Sequence, residues 1–392
     1  MKKTHDDVLS LFARYMADIS AGSPLAADRP LRWTIITNPR AGGFTIKSRW
    51  KKHHEALRRL AAYPKAPPKR FDAAPSRTAQ TMDMDKENSD LGKWGLIPTR
   101  MPGHAEEITR TLLDEMNADA ASSSPFHLII AAGGDGTSRE ILTVLAAAPE
   151  PLRTRCVILR LPLGTGNDGA DAWDLESALQ LLLGPGEAAL PAVTPAVLPI
   201  EFQRSLRLTC SSPGKGPFPA FNVLSVGLDA FVTHNTNRVK GKMPGDSYKL
   251  WVDIAALFYD KIFKVGPMEL RAFDADGKEC ACFTEKILLA AMGISGGRTY
   301  GSNNKILPDN RNVCAIKQMS VFRKIALKGQ FPKGTHIHAK EAILFNAHRI
   351  ELRGENPILA QMDGETVLLE PKDFPISIEL TPPLIPAMKR RK

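Results

Sequence analysis

A chain of 392 residues, 43% hydrophobic and 24% charged, has enough apolar matter for two ordinary domains, which excludes a fibrous or wholly disordered chain. No apolar run approaches the roughly 18 residues of a membrane span, and "MKKTHDDVLS" is acidic where a secretory leader would be apolar, so the cytoplasm is the expected location. The net charge of +10 points to an anionic partner such as nucleic acid, a nucleotide or an acidic membrane surface; the five cysteines (Cys156, Cys210, Cys280, Cys282, Cys314) lack zinc-ligand spacing and read as reduced filler.

Residues 8 to 19 place Val8, Leu11, Phe12, Tyr15, Met16 and Ile19 at helical spacing, so an amphipathic helix is expected before the first strand, packed on a core or lying on a membrane. "WTIITNPRAGG" reads as a short buried strand, Trp33 to Thr37, breaking at Asn38-Pro39 into a glycine turn, with a helix through "SRWKKHHEALRRLAAY". From Pro64 to Lys93 the text is polar, proline-bearing and without apolar period, and is expected to be a flexible insertion. After "WGLIPT", a helix is expected from near Gly103 with Ile108, Leu112, Leu113 and Met116 on one side.

"FHLIIAAGGDGT" then ends a buried strand in three glycines and an aspartate. The helix after it carries Ile141, Leu142, Val144 and Leu145, and Thr137-x-x-Glu140 has the form of a capping box that would start it at Ser138. "RCVILRLPLGTGNDGA" repeats the device. Strands alternating with helices imply a parallel sheet whose ligand crevice lies beyond the carboxyl ends of its strands, where all three glycine loops fall. Beyond about residue 185 the stretches are short and β-branched with turns between them, as in an antiparallel sandwich. One helix, 246 to 263, is expected to interrupt it, with Trp251, Ile254, Leu257, Phe258 and Ile262 as a broad apolar face.

Glycine lets backbone amides approach an anion closely, and a helix N-terminus offers open N–H groups, so phosphate is the natural guest of such loops. An aspartate beside phosphates is repulsive unless a divalent cation lies between or the carboxylate serves proton transfer or sugar binding, so Asp135 hints at a Mg²⁺-nucleotide site. None of the loops is a P-loop or a complete dinucleotide fingerprint, and each one alone could equally serve tight strand-helix packing. "MDGETV" reads by itself as a two-residue hairpin turn.

Taken in order, "NPRAGG" (38 to 43), "GGDGT" (133 to 137) with Glu140, and "PLGTGND" (162 to 168) resemble the signature of the diacylglycerol kinase catalytic domain superfamily. "TRMPGHAEE" with Thr99, His104 and Ala105, "SVGLDAFV" (225 to 232) and "QMDGE" (361 to 365) extend the likeness. The resemblance implies an α/β first domain with a parallel Rossmann-like sheet and an antiparallel β-sandwich second domain. It implies an N-terminal helical extension at 1–30, a nucleotide-binding domain at 31–175, a lipid-substrate domain at 185–370, and a segment at 371–392 returning to the first domain. The activity implied is ATP-dependent, Mg²⁺-assisted phosphorylation of a diacylglycerol or sphingoid-type hydroxyl in an interdomain cleft, by a peripheral enzyme at the inner face of an anionic membrane. No nucleic acid partner is implied, and a homodimer is left open.

Carried over residue by residue, the likeness assigns the nucleotide to Asn38, Gly42, Thr99, Gly133, Gly134, Asp135, Gly136, Thr137, Arg139, Glu140, Gly164, Thr165 and Asn167. Asp135 bears on phosphates and metal, and one of Asp363 and Glu365 acts as general base; Asp309 is the second metal candidate. Two departures stand out. The family's "P-x-A…DDG" stretch is here "ILPDNRN", with Asn310 and Asn312 in place of the acidic pair, and Arg139 replaces the usual asparagine before Glu140. Against the active kinase stands a kinase-like protein that binds lipid or nucleotide without chemistry; retention of Asp135, Asp363 and Glu365 favours the enzyme. An NAD kinase shares GGDGT, but the "PLGTGND" context argues against it.

Overall fold

The computed structural model describes residues 5–23, 31–62, 94–118, 126–164, 167, 169, 172, 174–183, 200–239, 256–300 and 304–389. The expected insertion at 64–93 and the first ten residues of the expected helix at 246–263 lie outside the described residues. The chain divides into two compact units, residues 1–203 with 384–392, and residues 204–383.

The first unit is a six-stranded sheet flanked by helices. Its elements in order are α1 (His5–Gly22), β1 (Leu31–Thr37), α2 (Gly42–Thr45), α3 (Lys47–Ala61), β2 (Trp94–Pro98), α4 (His104–Ala118), β3 (Phe126–Gly133), α5 (Asp135–Ala147), α6 (Glu150–Arg153), β4 (Cys156–Pro162), α7 (Leu175–Leu183) and β5 (Ile200–Gln203). The strand order is β2-β1-β3-β4, then the C-terminal strand Ile385–Met388, then β5. All run parallel except β5, with Ile35 opposite Ile130 and Ile129 opposite Ile158 at the centre. β3 and β4 are continuous apolar runs because helices cover both faces of a parallel sheet, and nearly every residue in them is buried.

The stripe of α1 turns inward rather than outward: Phe12 and Met16 are fully buried, and the Phe12 ring packs edge-on against Phe44 at 5.1 Å. α3 buries Trp50, Leu57 and Leu60 and leaves most of its cations in water. The capping-box expectation is overturned. α5 begins at Asp135 with Gly134 at its N-cap and no side-chain cap, so Thr137 lies inside the first turn. Glu140 instead accepts the amides of Gly103 (2.9 Å) and Ala105 (3.1 Å), thereby capping α4. A non-local partner won over the local one.

The second unit is antiparallel. Its elements are β6 (Leu206–Thr209), β7 (Phe218–Ala220), β8 (Val223–Gly227), α8 (Leu228–Val239), α9 (Tyr259–Ile262), β9 (Pro267–Phe273), β10 (Glu279–Gly293), β11 (Arg298–Tyr300), β12 (Asn304–Leu307), β13 (Val313–Lys317), α10 (Val321–Lys328), β14 (Ala342–Phe345), β15 (Arg349–Gly354), β16 (Ile358–Met362), β17 (Glu365–Leu369) and β18 (Ile376–Leu380). Eleven of these strands form one sheet that curls on itself through β10, which pairs with β9 along its first half and with β8 and β13 along its second. One apolar core, including Leu208, Val226, Leu270, Ile350, Ala360 and Ile378, is shared by the strands on both sides of that curl.

The expected apolar face of 246–263 is corrected where it is described. Tyr259 is buried against Phe231 and Phe263, but Phe258 is 51% and Ile262 59% exposed. Among the described residues no helix is long and apolar enough to cross a membrane.

Candidate functional site

In the order β2-β1-β3-β4 the connections turn opposite ways between β1 and β3, and a parallel sheet opens a ligand crevice at such a switch. The three glycine loops leave the sheet at this edge, and backbone contacts lock them together. Asn38 donates its amide to the carbonyl of Ala132 (2.9 Å), and its Nδ2 reaches the hydroxyl of Thr137 (3.4 Å). Gly43 donates to the carbonyl of Leu163 (2.7 Å). A Cβ on Gly164 would overlap the Cα of Gly134, so the second and third loops touch backbone to backbone. Only glycine fits there.

Asn167 stands at φ 61 and closes the third loop, its Oδ1 accepting the amide of Gly164 (2.7 Å). Asparagine tolerates this left-handed conformation better than other side chains. Asp135 lies on the first turn of α5 with one oxygen accepting the amide of Gly169 (3.2 Å). The α5 N-terminus, capped by glycine alone, leaves first-turn N–H groups for an anion. These features fit a phosphate group, with Asp135 as a single carboxylate able to meet a cation bound to it.

Of the expected nucleotide residues, Asn38, Gly133, Gly134, Asp135, Thr137, Gly164 and Asn167 are brought into this cluster; Thr165 lies outside the described residues. Gly42 begins α2 beside the first loop, and Thr99 donates to the carbonyl of Thr37 (2.7 Å) at the end of β1. Gly136 is exposed on the first turn of α5; Arg139 and Glu140 stand on the second turn, Glu140 spent on α4. His104, which had no role in the sequence, accepts the amide of Arg100 (3.0 Å) and shapes the same loop.

Two cations were missed by sequence reasoning. Arg49 on α3 donates to the carbonyl of Gly164 (3.0 Å). Arg160 on β4 is buried, donates to Gln203 (2.8 Å), and together with an Asp135 oxygen lies within 4 Å of where a Cβ on Gly169 would sit. The available signal for Arg160 was an arginine inside an otherwise apolar central strand, which rarely occurs without a partner.

The second unit carries its own polar cluster. Asp363 and Gly364 form the turn joining β16 to β17, at φ 48 and 103, as a tight hairpin of this type requires. The Asp363 carboxylate accepts the amides of Phe221, Asn222 (3.0 Å) and Val223 (3.0 Å), pinning the turn to the start of β8. Glu365, next in the hairpin, is exposed. Beneath the turn, Ser225 donates to Asp229 (2.6 Å), and Gln361 donates to Ser225 (3.0 Å) while accepting the amide of Gly364 (3.1 Å). Asp229 as a residue is only half-buried, but its carboxyl group is enclosed; that burial pushes its pKa up, against the hydrogen bonds from Ser225 and Gln361.

Asp309 is otherwise engaged. The Arg311 guanidinium grips both of its oxygens and holds its carboxyl below the usual range, and Asn312 bridges the backbone of Ala347 through both ends of its amide. A guanidinium stands where a divalent cation would need to sit, so Asp309 does not fit a metal. Among the described residues no group of three or more histidine, cysteine, aspartate or glutamate side chains could hold a metal ion.

Residues 76–187 match the family model of the diacylglycerol kinase catalytic domain. A protein of Xanthomonas axonopodis pv. citri named "Probable lipid kinase YegS-like" is 25% identical over 246 residues, 61% of this chain and 72% of that protein. A protein of Bacillus subtilis named "Diacylglycerol kinase" is 24% identical over 263 residues, 66% of this chain and 77% of that protein. The fold is shared with a solved structure from Bacillus anthracis described as "a putative diacylglycerol kinase", at a TM-score of 0.54 and 17% identity over 92% of this chain and 97% of that one.

Proposed function

We propose, from the premise that the chain belongs to the diacylglycerol kinase superfamily, that it is an ATP-dependent lipid kinase transferring the γ-phosphoryl group to a lipid hydroxyl. The observation that carries this reading is the interlocking of three glycine loops around the uncapped start of α5. ATP phosphates lie on the open amides of that turn, with Asn38, Thr137 and the Gly164 loop around them, and Arg49 adds positive charge at the same edge. Asp135 is the residue that would hold a Mg²⁺ ion, which would supply charge neutralisation to the transferring group.

The lipid hydroxyl needs a base within hydrogen-bond reach. Three amide donors already draw on the charge of Asp363, which supports a positioning role for it and leaves Glu365 as the base. Catalysis of this kind rests on alignment and electrostatics rather than covalent chemistry.

The test is transfer from labelled ATP with Mg²⁺ to a panel of diacylglycerol, monoacylglycerol, sphingosine and ceramide. At least one lipid should be phosphorylated; no transfer to any of them, with nucleotide binding retained, sinks the proposal. Glu365→Gln should lower kcat by about 10²- to 10⁴-fold with little change in the KM for ATP. Asp363→Asn should lower stability as well as activity. If Asp363→Asn alone abolishes transfer while the fold and Glu365→Gln stay unaffected, the roles are reversed.

A further inference from the structure

Of the large hydrophobic side chains that are exposed among the described residues, four stand on two neighbouring short helices of the second unit. They are Phe322 (86% exposed) and Ile325 (52%) of α10, and Phe258 (51%) and Ile262 (59%) at and within α9. The helices are joined by an ion pair, Lys324 of α10 to Asp260 of α9 at 2.8 Å, and Gln318 donates to the other oxygen of Asp260 (3.0 Å).

α10 reverses the ordinary arrangement of a surface helix. Its inward residues are Lys324 and Leu327, while Phe322, Ile325, Ala326 and then Gly329, at i, i+3, i+4 and i+7, form a continuous outward face. A helix normally buries that apolar stripe. Buried Lys324 is paired with Asp260, and half-exposed Arg323 holds Glu341 in a two-bond pair at 2.9 and 2.8 Å. Those two carboxylates are the only ones in residues 256–264 and 317–341, whereas Lys261, Lys264 and Lys333 remain exposed on the same segments. The apolar face is thus set in a field of surplus positive charge.

We propose that the outward face of α10, with the adjoining α9, is the surface by which this protein enters an anionic bilayer. Phe322 and Ile325 insert at the acyl boundary, and Lys261 and Lys264 meet the headgroup phosphates. Apolar insertion and basic residues act together at such surfaces, the cations adding electrostatic attraction to an anionic leaflet. A second copy of the chain is the poorer occupant, because a two-fold interface would bring the same basic patch against itself. The inference rests on the lipid kinase reading, since a lipid hydroxyl is reached from a membrane.

The experiment is co-sedimentation of the full chain with phosphatidylglycerol-containing vesicles and with pure phosphatidylcholine vesicles. The wild type should bind the anionic vesicles and bind the neutral ones far less. The double variant Phe322→Ser/Ile325→Ser should bind about tenfold or more weakly, because two apolar anchors are lost. Phe202→Ser, at a position in the first unit 53% exposed, should leave binding unchanged. Both substituted α10 residues are in water, so circular dichroism should match the wild type.

Unchanged vesicle binding by the double variant overturns the proposal, as does a wild type that ignores anionic vesicles. So does a wild-type dimer that the double variant converts to monomer, which would make the face a protein contact. Transfer to lipid in detergent micelles, measured separately, judges the kinase reading by itself: an inactive wild type would remove that reading while the vesicle result still decides the surface.

Discussion

His127 shows what one buried titratable group does to a parallel sheet. It sits in β3 at 3% exposure, bonded through Nε2 to the Thr34 hydroxyl (2.8 Å). Burial first, then the charges of Arg32 and Arg155, lowers its pKa to about 4. The folded state therefore keeps the ring neutral while the unfolded chain protonates near the ordinary value of about 6.5. The stability due to neutrality is complete above that value and falls by about 1.4 kcal/mol per pH unit as pH drops toward 4. By pH 5 the loss is about 2 kcal/mol. His53 and His336, also lowered chiefly by burial, act in the same direction. Urea unfolding at pH 7.5 and pH 5.0 should show this loss in the wild type and a reduced one in His127→Gln. Equal losses in both proteins would mean that another group carries the acid sensitivity.

The same scale shows what a sequence can and cannot reveal. Asp135 was legible because a carboxylate between glycines after a buried strand has few structural uses. Arg160, Arg49 and the Ser225, Asp229 and Gln361 network were not, because their meaning lies in partners far along the chain.

Among the elements, the strands ending in glycine loops were readable because continuous apolar runs of strand length suit the buried interior of a parallel sheet. Helix facing was less so. The "VFRKIALK" segment buries a lysine and exposes a phenylalanine, and no periodicity argument predicts that without knowing of Asp260. Glu140 illustrates the same limit, since a capping-box spacing near α5 was claimed by the amides of α4. The loop elements also carry the sharpest substitution test. Gly164→Ala places a methyl group against the Gly134 backbone and 2.8 Å from the Asn167 Oδ1, so the second and third loops must separate. Loss of stability should be modest, about 1–3 kcal/mol as for other overpacking, but the glycine-loop cluster loses its shape. Nucleotide binding measured by calorimetry should weaken at least about tenfold, an effect of 1.4 kcal/mol or more. A variant that binds ATP like the wild type would show that the close approach serves packing alone. Gly95→Ala, at the start of β2 and outside the loops, where an added Cβ meets nothing within 4 Å, is the matched control.

For the whole molecule, the notable feature is that the first unit is discontinuous in sequence. The chain leaves it after Gln203 and returns at Leu384, whose amide bonds to the Gln203 carbonyl at 3.1 Å. The returning strand Ile385–Met388 enters between β4 and β5, pairing with both, and Ile385, Ala387 and Met388 are essentially fully buried. A segment at the very end of the chain therefore completes the sheet that bears the glycine loops, and the second unit is in effect an insertion within the first. Deleting residues 384–392 should expose one edge of β4 and leave β5 without its partner. Burying an isoleucine and a methionine is worth about 1.5–3 kcal/mol each, so the loss is on the order of 3–6 kcal/mol, a large part of the 5–15 kcal/mol of an ordinary domain. The deletion should lower the unfolding temperature and open the first unit to limited proteolysis, while the curled sheet of residues 204–383, whose core shares none of the deleted residues, resists as before. Unchanged cleavage of the first unit would mean that β4 tolerates an open edge and that the returning strand is dispensable to the sheet that bears the glycine loops.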